Sequence, residues 1–253
     1  MGSLKGKRAL VTGGGQGLGA AIARELAARG ADVAVHFHSS RDGAKAAAEG
    51  ARRLGVRAEI FQADLAKEGE AARLVADAVA FLCGLDVLVN NAGDLVGRKM
   101  LSEIETPFWR TVMDVNLATM LYVTRAAVPH LAKAHGASIV NLSSLAGRKG
   151  RHPGSLAYST AKGAVLAWTR ALASELGPQG IRVNALAPGL VLGTRFHATH
   201  TTPESAERTI AGIPLGRAGR PEDVARAAAF LAGEYDGFIT GATLDVNGGS
   251  YCA

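Results

Sequence analysis

The sequence predicts an α/β protein: one doubly wound parallel sheet of about seven strands, with helices on both faces. Three observations carry this. Short, nearly continuous apolar runs alternate with stretches of helical periodicity along the whole chain, as strands buried on both faces do. The first apolar run ends in a glycine-rich turn that opens the first helix. No linker, internal repeat or low-complexity segment divides the 253 residues, so residues 1–253 are read as a single domain.

Ala9-Leu10-Val11 is the first strand. Gly17 to Arg29 follows as a helix with Leu18, Ile22 and Leu26 on one face. Val33-Ala34-Val35 and the helix from Arg41 to Leu54 form the next unit. Ala58-Glu59-Ile60-Phe61 and the helix from Glu68 to Leu82 form the third. Val87-Leu88-Val89 is the fourth strand. A long helix begins at Thr106-Pro107, where Thr can cap and Pro fits the first turn, and runs through Asn116 to about His135. Ser138 to Leu142 is the fifth strand and Leu156 to Leu176 an Ala-rich helix. Ile181 to Leu186 is the sixth strand, Pro221-Glu222-Asp223 opens another helix, and Thr243 to Val246 is the last strand. The stretch 188–219 has no strand pattern. A long insertion after a strand's C-terminal end is where such sheets build substrate sites.

The turn reads Thr12-Gly13-Gly14-Gly15-Gln16-Gly17-Leu18-Gly19. Glycines let backbone approach a phosphate closely, and the helix that follows offers free N–H groups and a positive dipole end. Gly13, Gln16, Gly17, Leu18 and Gly19 are therefore candidates to cradle a dinucleotide. NAD sites often carry a carboxylate at the end of the second strand. Here Phe37 takes that place, followed by His38, Ser39, Ser40 and Arg41. Those four can hold a 2′-phosphate, which a carboxylate would repel. NADP is favoured over NAD. Gln16 counts slightly the other way, since an Arg in the turn would have supported NADP.

Tyr158 and Lys162 are one helical turn apart and share a face. Free tyrosine titrates near ~10. A cation at ~6 Å, with an effective dielectric of ~20, favours the phenolate by roughly 3 kcal/mol. This is expected to pull the phenol down by about two pH units, with burial opposing part of it. Such a pair makes an acid/base for neutral pH.

Composition narrows the rest. The formal charge is +6, but Lys and Arg are scattered, and the one cluster is Arg148-Lys149-Gly150-Arg151-His152. Nucleic-acid binding is not expected, and an anionic cofactor or substrate suits the bias equally well. The N-terminus lacks a signal-peptide pattern, Gly2 lacks the Ser or Thr of an acylation motif, and no apolar run spans a membrane. The two cysteines, Cys83 and Cys252, have neither metal spacing nor a reason to pair. A cytoplasmic location is expected. His36 and His38, or His197 and His200, do not read as metal sites, and no Gly-x-Ser-x-Gly elbow supports a serine hydrolase.

Together Thr12 to Gly19, Asp64-Leu65, Asn90-Asn91-Ala92-Gly93, Asn116, Ile139 to Ser144, Tyr158 to Lys162 and Pro188-Gly189 resemble, in order, the short-chain dehydrogenase/reductase family. The match lies with its short, Rossmann-type single-domain branch. The resemblance implies that Asp64, followed by Leu65, accepts from an adenine amino group. Asn90, Asn91, Ala92 and Gly93 would line the ribose. Ser144 and Tyr158 would bind a substrate carbonyl oxygen, with Tyr158 giving it a proton. Lys162 would tune Tyr158 and hold the nicotinamide ribose, and Asn116 would support a water leading from Lys162 to solvent. Pro188, Gly189 and Thr194 would border the nicotinamide. Ser144 rather than Ser143 fits the pattern, because it precedes Leu145-Ala146-Gly147. Ser143 should face the other way.

The leading expectation is an NADPH-dependent reductase of a small or medium ketone, reversible, in a homotetramer. The nearest rival is a 3-oxoacyl-carrier-protein reductase. Its arginines for an acidic carrier correspond here to His135 and Gln179, although Arg148, Lys149 and Arg151 could compensate. A catalytically silent nucleotide sensor is the alternative of another class.

Overall fold

The computed structural model describes residues 4–150, 152–233 and 237–252. Gly2 and Arg151, both considered above, lie outside them. The sheet has seven parallel strands in the order β3-β2-β1-β4-β5-β6-β7. They are β1 (Arg8–Val11), β2 (Asp32–Phe37), β3 (Ala58–Gln62), β4 (Val87–Asn90), β5 (Ala137–Leu142), β6 (Ile181–Pro188) and β7 (Thr243–Val246). The strand count and the helix positions match the periodicity.

Strand residues alternate between two cores, because successive side chains point to opposite faces. Ala9, Val11, Val33, Val35 and Phe37 pack with α1 (Gly17–Ala28), α2 (Arg41–Arg52) and α10 (Pro221–Ala232). Leu10, Ala34, Leu88 and Ile139 pack with α3 (Glu68–Leu82), α5 (Thr119–Leu131) and α7 (Leu156–Leu176). Among the described residues no helix is long and apolar enough to cross a membrane.

The long helix expected from Thr106 to His135 is not continuous. It divides into α4 (Thr106–Met113), a π-helical turn at Asp114–Ala118 and α5. Asn116 explains the break. Its Nδ2 donates to Val112 O at 2.9 Å, four residues back, and to Asp94 O at 2.8 Å. A side chain that competes for backbone carbonyls disturbs the regular ladder. The strandless region is not loop throughout, for it holds α8 (Arg195–His200) and α9 (Pro203–Ala211), each begun by a threonine whose hydroxyl accepts a backbone N–H. Between Ser144 and Tyr158 the chain forms a short α6 (Leu145–Lys149).

Candidate active site

The sheet changes direction between β1 and β4, and the crevice beyond their C-terminal ends is where such folds bind ligands. The glycine turn lies there. Gly13 and Gly17 have φ of +63° and +50°, a region that favours residues without Cβ. Thr12 ties the turn to the chain after β4. Its hydroxyl donates to Val89 O and accepts from the N–H groups of Asn91 and Ala92. Asn91 Nδ2 returns to Thr12 O at 2.9 Å and Gly13 O at 3.1 Å.

His36 secures the other side. The Gly13 N–H donates to its Nδ1 at 3.0 Å, so Nε2 carries the proton and donates to Ala63 O at 3.1 Å. Burial pushes this imidazole down to about 4. Nothing in the sequence distinguishes His36 from any strand histidine. Its role depends on which glycine the fold brings beside it.

The crevice continues as a cavity of about 300 Å³, lined by Gly13, Gln16 and Gly17 at one end and by Ser144, Tyr158 and Lys162 at the other. Val112, Ala157 and Ala161, with Phe108, Trp109 and Tyr158 against them, fix α4 on α7. Ser143 also borders the cavity, but its Oγ is engaged in donating to Lys162 O at 2.7 Å. A Cβ on Gly147 of α6 would fall 2.5 Å from the Lys162 carbonyl carbon, so glycine permits α6 to lie on α7. Ser144 caps α6 and lines the cavity together with Tyr158.

Lys162 Nζ donates to Leu142 O at 2.9 Å. It is 5.7 Å from the Tyr158 ring centre. The expected lowering of the phenol is not present. Burial, aided by the charge of Asp94, pushes Tyr158 up to about 12 against the opposing influence of the Ser144 hydroxyl. Burial also draws Lys162 down to about 8. Desolvation, which disfavours both charged forms, is the leading cause for each. Asn116 is fully buried, and its Oδ1 has no hydrogen-bond partner among the described residues. A Cβ on Gly93 would lie 2.7 Å from that oxygen and 3.1 Å from Lys162 Nζ. Both polar groups therefore converge on Gly93, a place suited to a bridging water.

Across the cavity, Pro188 ends β6 and Gly189 follows it, and a Cβ on Gly17 would meet Thr194 Cβ at 3.4 Å. Phe196 lies over Tyr158 with ring centres 5.9 Å apart. Arg98, His152 and Phe196 also line the cavity; no motif in the sequence assigns them there, since they come from three separate segments, Phe196 from α8.

Other expected residues lie outside this cavity. His38, Ser39 and Arg41 are exposed or nearly so beyond β2, next to the turn, where a Cβ on Gly15 would fall 2.7 Å from Ser40 O. Arg41 lies over Phe37, and no ion-pair partner is found for it among the described residues. Asp64 Oδ1 accepts the Ala66 N–H, and Oδ2 lies 3.5 Å from Lys67 Nζ, while Leu65 is buried. Asn90 needs correction. Its side chain does not reach the crevice but bonds Thr124 and Asn141 in the core, because it is the last inward position of β4. Asn91, Ala92 and Gly93 remain at the crevice.

The family model described as enoyl-(acyl carrier protein) reductase matches residues 13–251, which takes in every residue that lines the cavity. The chain belongs to the short-chain dehydrogenase/reductase family. Among short-chain dehydrogenase/reductase relatives, the 3-oxoacyl-[acyl-carrier-protein] reductase FabG of Staphylococcus aureus is 37% identical, with 97% of this chain and 98% of the relative aligned. The crystal structure of the NADH-dependent reductase A1-R′ responsible for alginate metabolism superposes with a TM-score of 0.90 at 36% identity, covering 99% of both chains. A short-chain dehydrogenase of Burkholderia cenocepacia in complex with NADP superposes at 0.91, with 35% identity and 98% of both chains covered. Within this family framework the fourteen-residue interval from Ser144 to Tyr158 is taken up by α6 and the turn after it.

Proposed function

We propose that the protein is an NADPH-preferring reductase that converts a ketone to a secondary alcohol, reversibly. One observation carries the reading: the hydroxyls of Ser144 and Tyr158, with Lys162 behind them, face the same cavity as the glycine turn. A dinucleotide fits this chain's residues. Glycines stand where a side chain would fill the cradle, the buried Asn116 Oδ1 awaits a donor, and no described Asp or Glu lines the cavity to repel phosphates.

The backbone N–H groups at Gln16, Gly17 and Leu18, at the start of α1, would hold the pyrophosphate. His38, Ser39, Ser40 and Arg41 would hold a 2′-phosphate. Asn91, Ala92 and Gly93 would border the ribose. Asp64 would reach the adenine with Leu65 beneath it, and Pro188, Gly189 and Thr194 would border the nicotinamide. A bound reduced nicotinamide supplies the hydride. Ser144 and Tyr158 hold the carbonyl oxygen. Tyr158, fully protonated at neutral pH, gives that oxygen its proton as negative charge builds there. Lys162, fixed by Leu142 O, offsets the charge left on the phenol and holds the ribose. A water between Asn116 Oδ1 and Lys162 would carry the replacement proton.

Relatives that use either nucleotide exist, so the preference for NADPH rests on the segment from His38 to Arg41. Titrating NADPH and NADH in parallel, then assaying each with a panel of ketones and alcohols, tests the reading. NADPH is expected to bind at least ~10-fold tighter, since a charge-assisted phosphate contact contributes roughly 1.5–3 kcal/mol. Equal binding would overturn the preference.

The FabG relative favours one second reading, reduction of 3-oxoacyl thioesters on a carrier. Against it, Arg148 is drawn inward to Asp245 at 3.2 Å and to Thr243 O. That leaves less of the basic cluster for an acidic partner. Absence of activity on a 3-oxoacyl thioester in the same panel would eliminate this reading.

A further inference from the structure

The substrate end of the cavity has a charge pattern that the cofactor does not require. Arg98 and His152 both line it. They belong to the Tyr158 side, because Lys99 N–H donates to Gly154 O at 2.9 Å and so ties the Arg98 loop to the turn that precedes α7. Arg98 Nη1 donates to Pro153 O at 3.2 Å and Nη2 to His200 O at 3.5 Å. Both bonds go to neutral carbonyls. No carboxylate pairs with this guanidinium among the described residues, and its Nε makes no hydrogen bond among them. His197, also on the wall, engages Thr201 Oγ1 through Nδ1 at 2.9 Å, which leaves Nε2 for a ligand. Asp94 lies 3.6 Å from His200 Nε2 but does not line the cavity.

We propose that the substrate carries a carboxylate, bound by Arg98 with His152 and His197 as flanking donors, while its carbonyl meets Ser144 and Tyr158. The substrate class is an oxo acid, or the hydroxy acid in the reverse direction. A guanidinium presents paired donors that match a carboxylate. Phe196, packed on Tyr158, gives the carbon chain between the two groups an apolar surface. Burial and the charge of Arg98 both lower His152, and burial first, then His200, Arg98 and His152, lower His197 to about 4. Both imidazoles are therefore neutral near pH 7 and serve as hydrogen-bond partners, with Arg98 as the fixed cation.

This rests on the reductase reading, so the test separates the two. Oxo monocarboxylates of graded length and their methyl esters are compared as substrates with NADPH, for the wild type, Arg98→Gln and Arg98→Lys. Binding of the same acids is followed by calorimetry. The wild type should prefer an acid to its ester. The acid-to-ester ratio of kcat/KM should fall about 10- to 100-fold in Arg98→Gln and recover in part in Arg98→Lys. A preference for esters in the wild type, or an equal loss for both in Arg98→Gln, would overturn the proposal and leave Arg98 as a loop fastener. Turnover of neutral ketones in that case would keep the reductase reading. Arg98-dependent binding of acids without turnover of any carbonyl would uphold the carboxylate site and overturn the reductase reading.

Discussion

Tyr158 and Lys162 show where sequence reasoning about single residues holds and where it stops. Their shared helix face follows from spacing alone. Their ionisation does not, because it depends on how deeply each is buried, and burial reverses the expected direction for Tyr158. His36 lies further beyond sequence, since its two partners, Gly13 and Ala63, come from other loops. Its burial has a measurable consequence. A histidine whose pKa falls from 6.5 to about 4 on folding leaves the unfolded chain binding more protons between those values. Its contribution to stability is whole above pH 6.5 and is lost as pH falls toward 4, to the extent of about 3 kcal/mol. In denaturant melts between pH 7 and pH 4 the wild type should lose about 3 kcal/mol more stability than His36→Asn. Equal losses would mean that His36 is not held neutral at the turn.

At the scale of elements, glycine has two different meanings in this chain. Gly43, in the first turn of α2, faces Gly15 O so closely that a Cβ could not be placed without moving the turn. Gly69, in the first turn of α3, has open space around it. Gly43→Ala is expected to cost about 1–3 kcal/mol and to weaken nucleotide binding. Gly69→Ala should add up to about 1 kcal/mol. Chemical denaturation of both variants decides this, and equal effects would show that α2 does not brace the turn. The seven strands and the helices between them were legible because apolar periodicity specifies them. The π turn was not, because it arises from a tertiary acceptor, Asp94 O, taken by Asn116. The helices α8 and α9 were hidden for a similar reason. They are short and polar, and their caps, Thr194 and Thr202, are recognisable only once the residues that they bond are in place.

For the whole molecule, the order of strands matters more than any one of them. Because β1 is flanked by β2 and β4, the turn after β1 opens into a crevice that β5, β6 and α7 also reach. Residues from Gly13 to Thr194 thereby share one cavity. The motif order in the sequence made most of this site readable. The substrate wall was not readable, since Arg98, His152 and Phe196 belong to no motif and share the cavity only through tertiary packing. The central claim is that the phenol of Tyr158 protonates a carbonyl at the far end of a nucleotide crevice. Its most direct test is the steady-state reduction of a ketone by the wild type and by Tyr158→Phe, with NADPH binding measured on both proteins. Binding should be retained and kcat should fall about 10²- to 10⁴-fold. Turnover at the wild-type rate in Tyr158→Phe would contradict the account.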